Sequence, residues 1–83
     1  MEWILKIVAN KRRLEIVGYL KKKKQASVTD IANKIKLSFR STSRHLNVLY
    51  GADLLTKEQK NVQVFYKLSE DAPLVVKQIF NLL

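Results

Sequence analysis

SFRSTSRHLNVLY, residues 38–50, crowds four small hydroxyl side chains, two arginines and the chain's one histidine into its first eight positions. An apolar run follows. On a helical wheel Phe39, Thr42, Leu46, Leu49 and Tyr50 share one face. Arg40, Ser41 and Arg44 lie on the opposite face, with Ser43 at its edge. Ser38 is placed to cap such a helix through its hydroxyl. No acid occurs from Ile31 through Ala52, so the stretch reads as a helix seated by leucines that turns cations and hydroxyls outward.

Upstream, S-V-T-D resembles a capping box, Ser27 followed by Asp30, and opens a short helix whose buried positions are Ile31, Ala32 and Ile35. Lys36-Leu37 is a tight link between the two helices. Before them, Asn10 can cap a helix over KRRLEIVGYL, with Leu14, Ile16, Val17 and Leu20 as its inward stripe. Lys21–Lys24 close that helix, where cations suit the negative end of the helix dipole. Residues 2–9 form an apolar helix of their own.

Downstream of Gly51-Ala52-Asp53 the period changes from 3.6 to 2. Val62, Val64, Tyr66 and Leu68 alternate with Gln63, Phe65 and Lys67, a strand pattern. LLTK supplies the other arm of a hairpin and EQKN its tip, Asn61 being the residue most tolerant of positive φ. SEDAP starts a last helix running to Leu83, with Pro73 in its first turn. The predicted class is mainly α with a β-hairpin wing, in the order α-α-α-α-β-β-α, as a single domain over residues 1–83. A short helix, a tight turn, a second helix with a cationic face and a basic hairpin make a winged helix-turn-helix.

Composition agrees. Eighty-three residues with 47% hydrophobic content suit one small globular domain. Sixteen Lys and Arg against seven acids give a formal charge of +9, which points to a polyanionic partner. Between Ile16 and Ala52 there are eight cations and one acid, Asp30, so the excess is concentrated. The absence of cysteine removes disulfides and thiolate metal sites. Scattered acids, one histidine and no Gly-rich phosphate loop give no catalytic constellation and no cofactor site, so an enzyme is not expected. WILKIVA is too short to span a bilayer and lacks a basic leader; a cytoplasmic protein is expected.

LSFRSTSRHLNVLYGADLL closely resembles the recognition-helix signature of ArsR-like repressors, L-S-x-S-T-x-S-R-H-L-x-x-L-x-x-A-G-L-V. ANKRRLEIV is similar to that family's A-[DN]-x-x-R-L-x-I-L, and VFYKLS to its wing strand V-Y-Y-R-L-S. The resemblance covers about residues 9–69 and implies a dimeric winged-helix transcription regulator. Three departures stand out. Phe39 and Arg40 replace a small polar pair at the front of the helix. Asp53 and Asn61 stand where the family has glycines, and both tolerate left-handed geometry. The metal ligands of the family's sensors are missing, so a non-metal-sensing variant is implied, with His45 in a packing and hydrogen-bonding position.

The residues expected at duplex DNA are Lys36, Ser38, Phe39, Arg40, Ser41, Ser43 and Arg44 from the turn and recognition helix (about 38–50). The wing (about 57–62) adds Lys57, Lys60 and Asn61. Arginine forks can grip guanine edges or phosphates, and the lysines supply salt-dependent affinity. Phe39 is a conflict: the wheel sets it at the core edge, the family pattern at the DNA, with its ring edge able to meet a thymine methyl. The core edge is the preferred reading.

At the two ends, Trp3, Ile4, Ile7 and Val8 and the set Leu74, Val75, Ile79, Phe80, Leu82 and Leu83 are more apolar surface than a monomer of this size hides. Pairing the terminal helices (about 2–9 and 73–83) across a two-fold axis covers them. A homodimer of this kind predicts an inverted-repeat operator, and the resemblance to repressors implies a transcriptional repressor acting by occlusion. The alternative is a winged-helix module that binds protein or RNA.

Overall fold

The computed structural model describes residues 2–83. Helices α1 (Glu2–Val8) and α2 (Lys11–Lys23) are followed by a two-residue strand β1 (Ala26–Ser27). Helices α3 (Val28–Ile35) and α4 (Phe39–Gly51), strands β2 (Leu55–Lys60) and β3 (Gln63–Leu68), and helix α5 (Leu74–Asn81) complete the chain. The molecule measures 34 × 22 × 21 Å.

Local chemistry starts the helices where the sequence indicates. Asn10 Oδ1 accepts from Arg13 N, Ser27 Oγ from Asp30 N and Ser38 Oγ from Ser41 N, each at 3.1 Å. Each bond satisfies one backbone donor that a helix start leaves free. Pro73 lies just ahead of α5 rather than inside its first turn, and its carbonyl takes the amides of Val76 and Lys77. The stops use left-handed backbone at non-glycine residues: Lys24 at φ 71°, Lys36 at 56°, Asp53 at 62° and, in the wing, Asn61 at 58°. The two residues that replace family glycines thus adopt the glycine conformation.

One core joins the elements. Ile16, Val17 and Leu20 of α2, Ile31 and Ile35 of α3, Leu46 and Leu49 of α4, and Leu54, Leu55 and Tyr66 at the hairpin base are all buried. Leu14, expected in the α2 stripe, is half-exposed and outside this cluster, because α2 turns Ile16, Val17 and Leu20 inward instead.

The sheet is ordered β1-β3-β2, antiparallel throughout. Ala26 pairs with Tyr66 and Ser27 with Phe65, so the residue that caps α3 also holds the base of the wing. The hairpin is longer than its sequence suggests. Thr56–Lys60 all pair with β3, and the tip is Asn61-Val62 rather than EQKN. Val62, read as a strand residue, is the tip and is 95% exposed.

Candidate nucleic-acid interface

Helix α4 is held by its inner face. Leu46 and Leu49 are fully buried with Thr42, and each leucine contributes about 2–3 kcal/mol of burial. On the outer side Arg40 and Arg44 are exposed, Ser41 and Ser43 are half-exposed, and Ser38 is exposed while its hydroxyl caps the helix. Lys36 is exposed in the turn between α3 and α4. The structure therefore brings together the cations and hydroxyls read from residues 36–44.

Two side chains assigned to the seating face are not seated. Phe39 is 59% exposed and Tyr50 40% exposed. The preference for Phe39 at the core edge is corrected: at the turn it is Leu37 that packs against the core, and the Phe39 ring is exposed. Tyr50 lies under Lys57, whose Nζ is 4.3 Å from the ring centroid, a cation–π contact.

The wing lysines do not form one patch. Residues directly opposite across an antiparallel pair share a face. Lys57 opposes Tyr66 and Lys60 opposes Gln63, so Lys57 faces α4 and Lys60 faces away. On that outer face Lys60 sits 3.5 Å from Glu58 and 5.3 Å from the Phe65 centroid.

Behind the recognition helix lies a cluster that sequence reasoning left out. The Arg13 guanidinium donates to Ile7 O at 2.9 Å and to His45 Nδ1 at 3.3 Å. Arg12 donates to Ile35 O at 2.6 Å and meets Glu15 at 3.3 Å. Ile7 and Ile35 carry carbonyls at the C-terminal ends of α1 and α3, where helices concentrate negative charge. Lys11, Arg12 and Arg13 stand in the first turn of α2, which the dipole disfavours for cations. That misfit was the available signal: two of the three reach the opposite ends of neighbouring helices. Burial, and then the charges of Arg13, Arg44 and Arg12, lower the His45 pKa from 6.5. His45 accepts from Arg13 as a neutral ring and ties α4 to α2.

Among the described residues no group of three or more His, Asp or Glu is gathered to hold a metal ion, and no helix is long and apolar enough to cross a membrane.

At the termini the apolar residues divide. Ile4, Val8 and Phe80, assigned to a subunit interface, are buried at 6%, 4% and 6% in the chain's own core. They cannot also present a surface, since α1 packs on α2 and α4, and α5 packs on α2. Ile7, Val75 and Ile79 are partly buried against the same core. Trp3, Leu74, Leu82 and Leu83 remain exposed, and Leu5 joins them.

Residues 10–57 match the model of the family described as bacterial regulatory protein, arsR family. The chain belongs to the arsR family. Its family and fold are those of transcriptional regulators. Over 66 residues it is 32% identical to the arsenical resistance operon repressor of Bacillus subtilis, covering 80% of this chain and 63% of that relative. It thus spans less than two thirds of the curated relative's length. HlyU from Vibrio cholerae superposes with a TM-score of 0.82 at 33% identity, over 95% of this chain and 82% of the other. The homodimeric winged helix-turn-helix DNA-binding domain of Mb0332 from Mycobacterium bovis superposes with a TM-score of 0.78 at 25% identity, over 93% and 68%. The family match takes in α2 to the start of β2 and so contains the whole helix-turn-helix.

Proposed function

We propose that this arsR-family chain is a sequence-specific double-stranded DNA-binding transcriptional regulator, a homodimeric repressor that acts in the cytoplasm by occluding an inverted-repeat operator. One observation carries the reading: the outer face of α4 bears Arg40, Ser41, Ser43 and Arg44 in a stretch with no acid from Ile31 to Ala52. A major groove admits an α-helix, and a cationic hairpin follows this one. Arg40 and Arg44 read base edges, with Ser41 and Ser43. Lys36, Ser38, Lys57, Lys60 and Asn61 meet the backbone or the minor-groove edge. Across a two-fold axis built from Trp3, Leu74, Leu82 and Leu83 with the half-buried Ile7, Val75 and Ile79, two such helices would enter successive major grooves roughly 34 Å apart.

Selection of bound sites from random duplex tests the reading, with gel shifts on duplex, single strand and RNA at several salt concentrations. An inverted repeat is expected. Arg44→Ala should lose about 1–3 kcal/mol of preference for the selected site over random duplex. Equal weakening on both would make Arg44 a phosphate contact only. Preference for RNA or single strand, or no nucleic-acid binding, would favour the interaction-module reading, to which the exposed Phe39 ring lends its one supporting observation.

A further inference from the structure

Phe39, 59% exposed at the first position of α4, does not stand alone. With Val62, 95% exposed at the wing tip, it lines a cleft of about 130 Å³ that Val28, Thr29 and Val64 also border. The cleft joins the start of α3, the start of α4 and the wing tip. Close to Phe39 in the chain, Lys36 and Arg40 are exposed, and among the described residues neither is paired with an acid. An apolar reader set among unpaired cations fits a polyanion that itself carries an apolar group. In duplex DNA the group of that kind presented to a helix in the major groove is the thymine 5-methyl. A protein partner would need acids around an apolar knob, and would have no use for the arginine row behind it.

We propose that Phe39 is a specificity-determining residue whose ring reads a thymine methyl at the edge of each half-site. The proposal rests on the DNA-binding reading above. The ring is supported from the helix side by the Ser38 cap, which fixes the first turn of α4. Removing water from the methyl and from the exposed ring then favours thymine over any base lacking the methyl. Because uracil pairs as thymine does, the methyl can be deleted from the duplex without altering either strand's hydrogen-bonding pattern.

The experiment takes the best duplex selected by the wild-type chain and replaces each thymine by uracil, one position at a time. Binding is measured for the wild type, Phe39→Ser and Phe39→Leu. One replacement per half-site should weaken the wild type about fourfold, the worth of one buried methyl. Phe39→Ser should bind thymine and uracil duplexes equally, with an unchanged salt slope, while Phe39→Leu keeps part of the discrimination. Both variants change an exposed side chain, and their melting temperatures verify folding. The proposal is overturned if the wild type binds a selected site yet every uracil replacement is silent, or if Phe39→Ser keeps the fourfold ratio. Failure to prefer any duplex over random sequence would instead bring down the DNA-binding reading itself.

Discussion

Thr42 lies on α4's buried face with no hydrogen-bond partner for its Oγ1. A buried hydroxyl without a partner costs about 1–3 kcal/mol. Thr42→Val keeps the shape and removes that cost, so it should raise stability by about 1 kcal/mol, read as a higher midpoint in denaturant. A lower midpoint would mean the hydroxyl is satisfied in solution. His45 gives a pH prediction with a definite sign. Its folded pKa lies below the ordinary 6.5, through burial and the neighbouring charges of Arg13, Arg44 and Arg12. As pH falls below about 6.5 the unfolded chain takes up the proton first, so stability is lost downward through that window and is full above it. His45→Gln should flatten the melting temperature between pH 7.5 and pH 5.5 relative to the wild type, which should fall more steeply. At this scale the sequence was legible for the caps and the outward arginines, because both depend on neighbours three or four residues away. It was not legible for Arg12 and Arg13, whose partners Ile35, Ile7 and His45 are remote in sequence.

Lys36 ends α3 with φ 56°, a left-handed residue that is not glycine. The same conformation costs a residue with a side chain roughly 1–2 kcal/mol. Lys36→Gly should therefore stabilise the helix-turn-helix by about 1 kcal/mol in thermal melts. It should also weaken binding to all duplexes alike and reduce the salt slope by about one. A gain in stability without a loss of affinity would show that this lysine does not touch phosphate. The wing makes the companion point for a strand element. Period-two alternation marked β3 and LLTK its partner arm, but β2 is exposed along Thr56–Lys60 and Glu58–Lys60 resembled the hairpin tip. Only pairing with β3 makes that segment a strand, and the pairing register puts Lys57 and Lys60 on opposite faces.

Across the whole molecule, the same apolar ends divide into core and surface. Ile4, Val8 and Phe80 anchor α1 and α5 from beneath, while Leu74 at 73% and Trp3 at 56% exposure leave apolar area facing outward. In the proposed homodimer, Leu74→Glu should leave the monomer fold unchanged and weaken dimerisation by roughly 4 kcal/mol, about a thousandfold, because a two-fold interface carries each change twice. Sedimentation checks this, and an unchanged dimer would remove Leu74 from the interface. The sequence by itself determined the helices, the side-chain caps of α2, α3 and α4, the cationic outer face of α4 and the left-handed tip at Asn61, since each follows from periodicity or from chemistry within one turn; the left-handed stop at Asp53 was implied by the family resemblance. Three features waited on the tertiary structure: the seat of the wing, the exposure of Phe39 and the burial of part of each terminal helix. Ala26-Ser27 is too short to show a period, and pairs with β3 only because the chain brings Phe65 and Tyr66 alongside. Whether an apolar side chain is covered depends on which remote element packs over it, and neither period nor charge along one segment carries that information.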